Sequence, residues 1–158
     1  LLVSASCFRS PASCPRLPSM ATFISNYPAE TIAFARHWAE SVLPNDVVAL
    51  VGDLGAGKTH FVKGLVQGLA GTEAATSPTF TLLHEYRKGR LPVFHFDFFR
   101  LKQQSVIDEI GFDEYLDQGG VVVIEWADRF PQALPAGTRW LRIEAVSEVK
   151  RAITEEKQ

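Results

Sequence analysis

Residues 46–71 read DVVALVGDLGAGKTHFVKGLVQGLAG. The apolar, Val-rich run Asp46–Val51 has the composition of a strand buried on both faces. Gly57–Ala70 has the length and apolar spacing of a helix, with Gly71 as its C-cap. Between them, Gly52 to Thr59 fits G-x4-G-K-T, the phosphate-binding loop. Backbone N–H groups must converge on a phosphate there, and side chains at the glycine positions would block the approach. The helix that follows offers unpaired N–H groups and the positive end of its dipole. Lys58 is expected to reach β- and γ-phosphates, and the Thr59 hydroxyl to ligate Mg²⁺. Gly52, Asp53, Leu54, Gly55, Ala56, Gly57 and His60 complete the expected nucleotide-binding stretch. Asp53 is open between holding the loop, orienting water and simple solvation. Gly64 and Gly68 share one helix face, and each costs helix stability, which points to close packing against a sheet.

Outside this stretch the chain reads as one soluble domain. It has 158 residues, 46% of them apolar and 22% charged. No apolar run approaches the roughly 20 residues of a membrane span, so no membrane role is expected. A formal charge of −2 supplies no basic field for direct nucleic-acid binding. Residues 1–19 differ from the rest: they lack acidic residues, are rich in serine and proline, and precede Met20, the only methionine. They read as upstream translation or a disordered leader, with 20–158 as the P-loop domain. A signal peptide fits less well, because no basic residue precedes the short apolar stretch. Both cysteines, Cys7 and Cys14, lie in that leader, which argues against disulfides and thiolate zinc sites in the folded part.

Strand and helix patterns alternate along the chain. Strands are expected at Thr22–Asn26, Phe80–Arg87, Pro92–Phe99, Val121–Ile124, Thr138–Ala145 and Val149–Thr154. Helices are expected at Pro28–Val42, Gln103–Ile110 and Phe112–Asp117. The order implies an α/β fold: a single-domain P-loop NTPase with a mostly parallel central sheet, antiparallel additions and flanking helices.

A Mg·nucleotide site needs an acid at the end of a neighbouring strand. Val121-Val-Val-Ile-Glu125 places a carboxylate after four β-branched residues, and Phe94-His-Phe-Asp97 is the second candidate. His95 and Asp97 share a strand face, a pattern read as a hydrogen-bonded pair rather than a zinc site. Ser77-Pro-Thr79 is either a γ-phosphate sensor or an ordinary turn before a strand. Arg100 is open between phosphate and carboxylate partners. No Asn-Lys-x-Asp motif for guanine is present, which favours ATP.

GDLGAGKT (52–59), SPTFTLLHEY (77–86), HFDFFRL (95–101) and GGVVVIEWADR (119–129) together resemble the TsaE (YjeE) family of bacterial ATPases. The resemblance runs from about Phe23 to Ala145. It implies a cytoplasmic ATPase, weak alone, that works with TsaD and TsaB to make N6-threonylcarbamoyladenosine and meets tRNA only through that complex. It implies catalytic roles for Lys58, Asp97 and Glu125, a Mg²⁺ association for Thr59 and Glu125, and a switch role for Thr79, with Trp126 beside the glutamate. His60 stands where a second threonine is common, and Phe98-Phe99 where Leu-Tyr is common. From the residues alone, a small-molecule kinase of the P-loop class remains an alternative, with Arg87, Lys88 and Arg90 as its nearest lid cluster. So does a non-hydrolysing, nucleotide-dependent interaction module.

Overall fold

The computed structural model describes residues 22–71 and 74–156, so the leader expected at 1–19 lies outside the described residues. The elements run β1 (Thr22–Ser25), α1 (Pro28–Trp38), β2 (Val47–Val51), α2 (Lys58–Leu69), β3 (Leu83–Tyr86), β4 (Val93–Asp97), α3 (Ser105–Glu109), α4 (Phe112–Leu116), β5 (Val121–Glu125), β6 (Arg139–Ala145) and β7 (Arg151–Glu156). One seven-stranded sheet has the order β1-β7-β6-β2-β5-β4-β3. The four inner strands β6, β2, β5 and β4 are parallel, and β3, β7 and β1 add antiparallel edges. The fold is α/β, as the alternation of patterns predicts.

Strand parity sorts the core into two layers. Val48 and Leu50 of β2, Val93 of β4, and Val121 and Val123 of β5 pack with Phe61, Leu65 and Leu69 of α2 and Ala35 and Trp38 of α1. Their neighbours Val47, Ala49, Phe94, Phe96, Val122 and Ile124 pack on the other side with Ile107 of α3 and Phe112 of α4. Consecutive residues of a strand face opposite layers, so both layers need apolar residues, and β2 and β5 read as unbroken apolar runs.

Several boundaries differ from the sequence expectation, three of them for a visible reason. The helix from Pro28 stops at Trp38 and tightens into a 3₁₀ turn at Ala39–Ser41. Residues 78–82 are a turn rather than the start of a strand: Thr81 and Leu82 N–H both donate to the Pro78 carbonyl, and Leu82 takes φ 65°. The last strand starts at Arg151, because Val146 and Ser147 N–H close the preceding turn on the Lys150 carbonyl.

Gly64 and Gly68 pack against α1 and not against the sheet. Both helices cover the same sheet face, so they meet each other, and the small residues mark where their backbones come closest. A Cβ at Gly64 would overlap the Ile32 carbonyl oxygen and sit 2.7 Å from Ala35 Cβ; one at Gly68 would sit 2.6 Å from Ala39 Cβ. Alanine favours a free helix by about 1 kcal/mol over glycine. Gly64→Ala is nonetheless expected to destabilise the fold by about 1–3 kcal/mol through overpacking. Urea unfolding checks this; an unchanged or raised midpoint would contradict the contact.

Candidate nucleotide site

Parallel pairing brings the C-terminal ends of β2, β5 and β4 side by side, where open α/β sheets form their binding crevice. In register, Glu125 is the partner of Leu50 on one side and Asp97 on the other. Asp97 and Glu125 share strand parity with Val93, Val121 and Val123, so both carboxylates lie on the α2 side of the sheet.

The phosphate-binding loop has the backbone its glycines predict. Gly55 and Gly57 take φ 76° and 105°, in the left-handed region that disfavours other residues. A Cβ at Gly52 would overlap the Ile143 carbonyl of β6. From β7, Arg151 Nε donates to the Ala56 carbonyl at 2.9 Å and Nη2 to the Gly55 carbonyl at 3.2 Å. The loop is therefore braced from outside by a residue far along the chain.

Lys58 is buried and lies along its own loop. Its Nζ donates to the carbonyls of Gly52 at 2.6 Å and Asp53 at 3.0 Å, and sits 3.7 Å from the Trp126 ring centroid. Burial holds the ammonium below the usual lysine range, opposed by the charges of Glu125, Asp97, Asp128 and Asp53. Trp126 has φ 59° and its ring also lies against Phe99.

The two carboxylates are 2% and 3% exposed, so each needs donors. Thr59 Oγ1 donates to Glu125, at 3.0 Å from Oε1 and 3.3 Å from Oε2. Asp97 Oδ2 accepts from Thr79 Oγ1 at 2.7 Å, and Oδ1 from the Phe99 N–H at 2.9 Å. The 78–82 turn follows from this contact, because it delivers the Thr79 hydroxyl to the end of β4. The resulting cleft, about 260 Å³, is lined by Leu54, Gly55, Gly57, Lys58, Thr59, His60, Ser77, Thr79, Asp97, Phe99, Glu125 and Trp126. Burial lowers the His60 pKa, and Lys63 and Arg151 add to that. A larger hollow, about 530 Å³, lies at the other end of the sheet beside Asn45, Asp113 and Pro135, away from all of these groups.

Not every expected residue enters the cleft by its side chain. Gly52 and Asp53 contribute carbonyls to Lys58, the Asp53 side chain faces solvent, and Ala56 is buried. Arg100 lies over the Phe80 ring at 4.4 Å and has no carboxylate partner among the described residues. Arg90 donates to the Ala39 and Val42 carbonyls, and Arg87 pairs with Glu85. The partner of His95 is Glu125 on the adjacent strand, not Asp97. Among the described residues, no group of three or more His, Cys, Asp or Glu is placed to hold a metal. The oxygens of Thr59 and Glu125 suit Mg²⁺, which takes one or two protein ligands alongside phosphates and water. Sequence reasoning singled out the stretches holding Ser77 and Phe99 without giving either residue a role, and it missed Arg151 altogether; Arg151 stands in no local motif.

Residues 25–153 match the family model described as "Threonylcarbamoyl adenosine biosynthesis protein TsaE". The tRNA threonylcarbamoyladenosine biosynthesis protein TsaE of Bacillus subtilis is 42% identical over 127 residues, covering 80% of this chain and 79% of the relative. The protein of the same name from Rickettsia felis is 38% identical, covering 81% and 75%. The crystal structure of Bacillus subtilis YdiB superposes with a TM-score of 0.74 at 36% identity, covering 87% of this chain and 84% of that one.

Hydrogen bonds from a charged donor contribute about 1.5–3 kcal/mol each, less where solvent reaches them. Arg151→Met is therefore expected to loosen the loop, with amide exchange at residues 55–57 faster by about tenfold, the factor that roughly 1.4 kcal/mol of lost protection gives. Unchanged exchange there would contradict the bracing role.

Proposed function

The chain belongs to the TsaE family, and on that footing we propose that it is the ATP-binding and ATP-hydrolysing subunit of the machinery that makes N6-threonylcarbamoyladenosine in tRNA, acting in the cytoplasm with TsaD and TsaB. One observation carries the enzymatic part: a phosphate-binding loop, a buried lysine, two buried carboxylates and a threonine-bearing turn converge on a single cleft.

Each group has a task in that reading. Gly52 to Thr59 receive the phosphates of ATP on backbone N–H groups and the N-terminus of α2. Lys58 exchanges the Gly52 and Asp53 carbonyls for β/γ-phosphate oxygens, a move its flexible stem permits and its disfavoured buried charge promotes. Thr59 directs its O–H hydrogen bond to Glu125, which leaves its lone pairs for Mg²⁺, and Glu125 would hold the same ion directly or through water. Bound Mg²⁺ neutralises charge on the β- and γ-phosphates. Asp97, pinned by Thr79 and the Phe99 amide, orients the attacking water. Thr79 then links the γ-phosphate to an exposed surface, since the next residue, Phe80, is 85% exposed.

The cationic inventory supports partner dependence. Among the described residues lining the cleft, Lys58 is the only Lys or Arg. Among the described residues no arginine lines the cleft to stabilise transferred-phosphate charge, and in such enzymes a partner can complete the site. A kinase would need a lid, and the Arg87 and Arg90 side chains are engaged elsewhere.

ATP hydrolysis by the chain, alone and with a TsaD–TsaB pair, tests the proposal. Slow turnover alone, stimulation by the pair, and loss in Lys58→Ala and Glu125→Ala are expected. Hydrolysis indifferent to the pair would contradict the pathway assignment, and a Glu125→Ala chain that no longer hydrolyses ATP yet keeps its function in cells would favour a non-hydrolysing module.

A further inference from the structure

His95 is fully buried on β4, and none of the steps above uses it. It is the register partner of Val123 on β5, two residues before Asp97 on the same strand face. Its Nε2 lies 3.0 Å from Glu125 Oε1. Its Nδ1 is buried without a hydrogen-bond partner among the described residues. Together these contacts select a tautomer. With the proton on Nδ1, a buried N–H would go unpaired and the Nε2 lone pair would face a carboxylate oxygen; both cost free energy. With the proton on Nε2, the ring donates to Oε1 and only a lone pair lacks a partner, the smaller penalty.

Glu125 Oε1 then accepts from His95 on one side and from Thr59, at 3.0 Å, on the other, whereas Oε2 has only the longer Thr59 contact of 3.3 Å. Resting on the reading of Glu125 as a Mg²⁺-holding group, we infer that His95 is a positioning residue for that carboxylate: its Nε2–H pins Oε1 and leaves Oε2 as the oxygen free to meet the cation. Core filling does not call for an imidazole here. The same layer holds Val93, Val121 and Val123, and an apolar side chain of similar volume would pack among them. What it could not supply is a donor to a carboxylate with almost no access to water. Donors of this kind orient a metal-binding carboxylate, and their removal costs about 10–100-fold in metal affinity.

The test is a Mg²⁺ titration of ATP binding by calorimetry, with the full chain as wild type, His95→Leu, His95→Gln and Glu125→Gln. His95→Leu is expected to raise the Mg²⁺ midpoint about tenfold or more, with ATP affinity in the absence of Mg²⁺ unchanged. His95→Gln, whose side-chain amide brings an N–H to the same place, is expected to restore the midpoint. A normal midpoint in His95→Leu while Glu125→Gln shifts it, or a glutamine variant no better than leucine, would overturn the positioning role alone. A normal midpoint in Glu125→Gln would overturn the Mg²⁺ reading of Glu125 beneath it. Nitrogen NMR of the wild-type ring requires no variant: a protonated Nε2 and a bare Nδ1 are expected, and the reverse would overturn the inference.

Discussion

Asp97 and Glu125 stand in register on adjacent parallel strands, nearly sealed from water, with the Lys58 ammonium in the same cleft. Carboxylates in that position are costly unless every oxygen is served. Much of the surrounding structure supplies donors to them: the Thr59 hydroxyl from the start of α2, His95 from within β4, the Thr79 hydroxyl from a turn, and the Phe99 amide just past the strand. The donors come from separate parts of the chain, so the carboxylates tie the loop, the sheet and the 78–82 turn into one site. The turn therefore meets the cleft directly, through the Thr79–Asp97 hydrogen bond.

The loop and its surroundings carry the local cost of this arrangement. Trp126 takes a left-handed backbone at φ 59°, unfavourable for a residue with a side chain, and its ring is thereby set against both Lys58 and Phe99. Lys58 occupies loop carbonyls and an aromatic face, each a weaker partner for an ammonium than a phosphate. Arg151 adds bracing from the last strand, tying the loop to an antiparallel edge of the sheet.

Much of this was legible in the sequence, for identifiable reasons. The loop declares itself because its glycines and lysine are constrained by backbone conformation and charge at fixed spacing. Asp97 and Glu125 were legible because an acid at the end of an unbroken apolar strand has few packing reasons to be there. The contacts of Gly64 and Gly68 were legible as close approach but assigned to the wrong neighbour, since spacing on one helix does not say which element faces it. The partner of His95 was misassigned for the same reason: a strand pattern orders residues along one strand, whereas the bond crosses to β5. Arg151 carried no signal, because its acceptors are backbone carbonyls and no side-chain pattern marks them. Thr79 fell between two readings because no strand or helix pattern shows that its hydroxyl donates to Asp97.

The family assignment and the cleft geometry meet in the proposal that this cleft turns over ATP in the service of threonylcarbamoyladenosine synthesis. The most direct measurement is the N6-threonylcarbamoyladenosine content of tRNA, by mass spectrometry of nucleosides, in bacteria depleted of their own TsaE and supplied with this chain. The account predicts that the wild-type chain restores the modified nucleoside and that Asp97→Asn, expressed at the same level, does not. Restoration by Asp97→Asn, or failure of a folded wild-type chain to restore it, would contradict the claim.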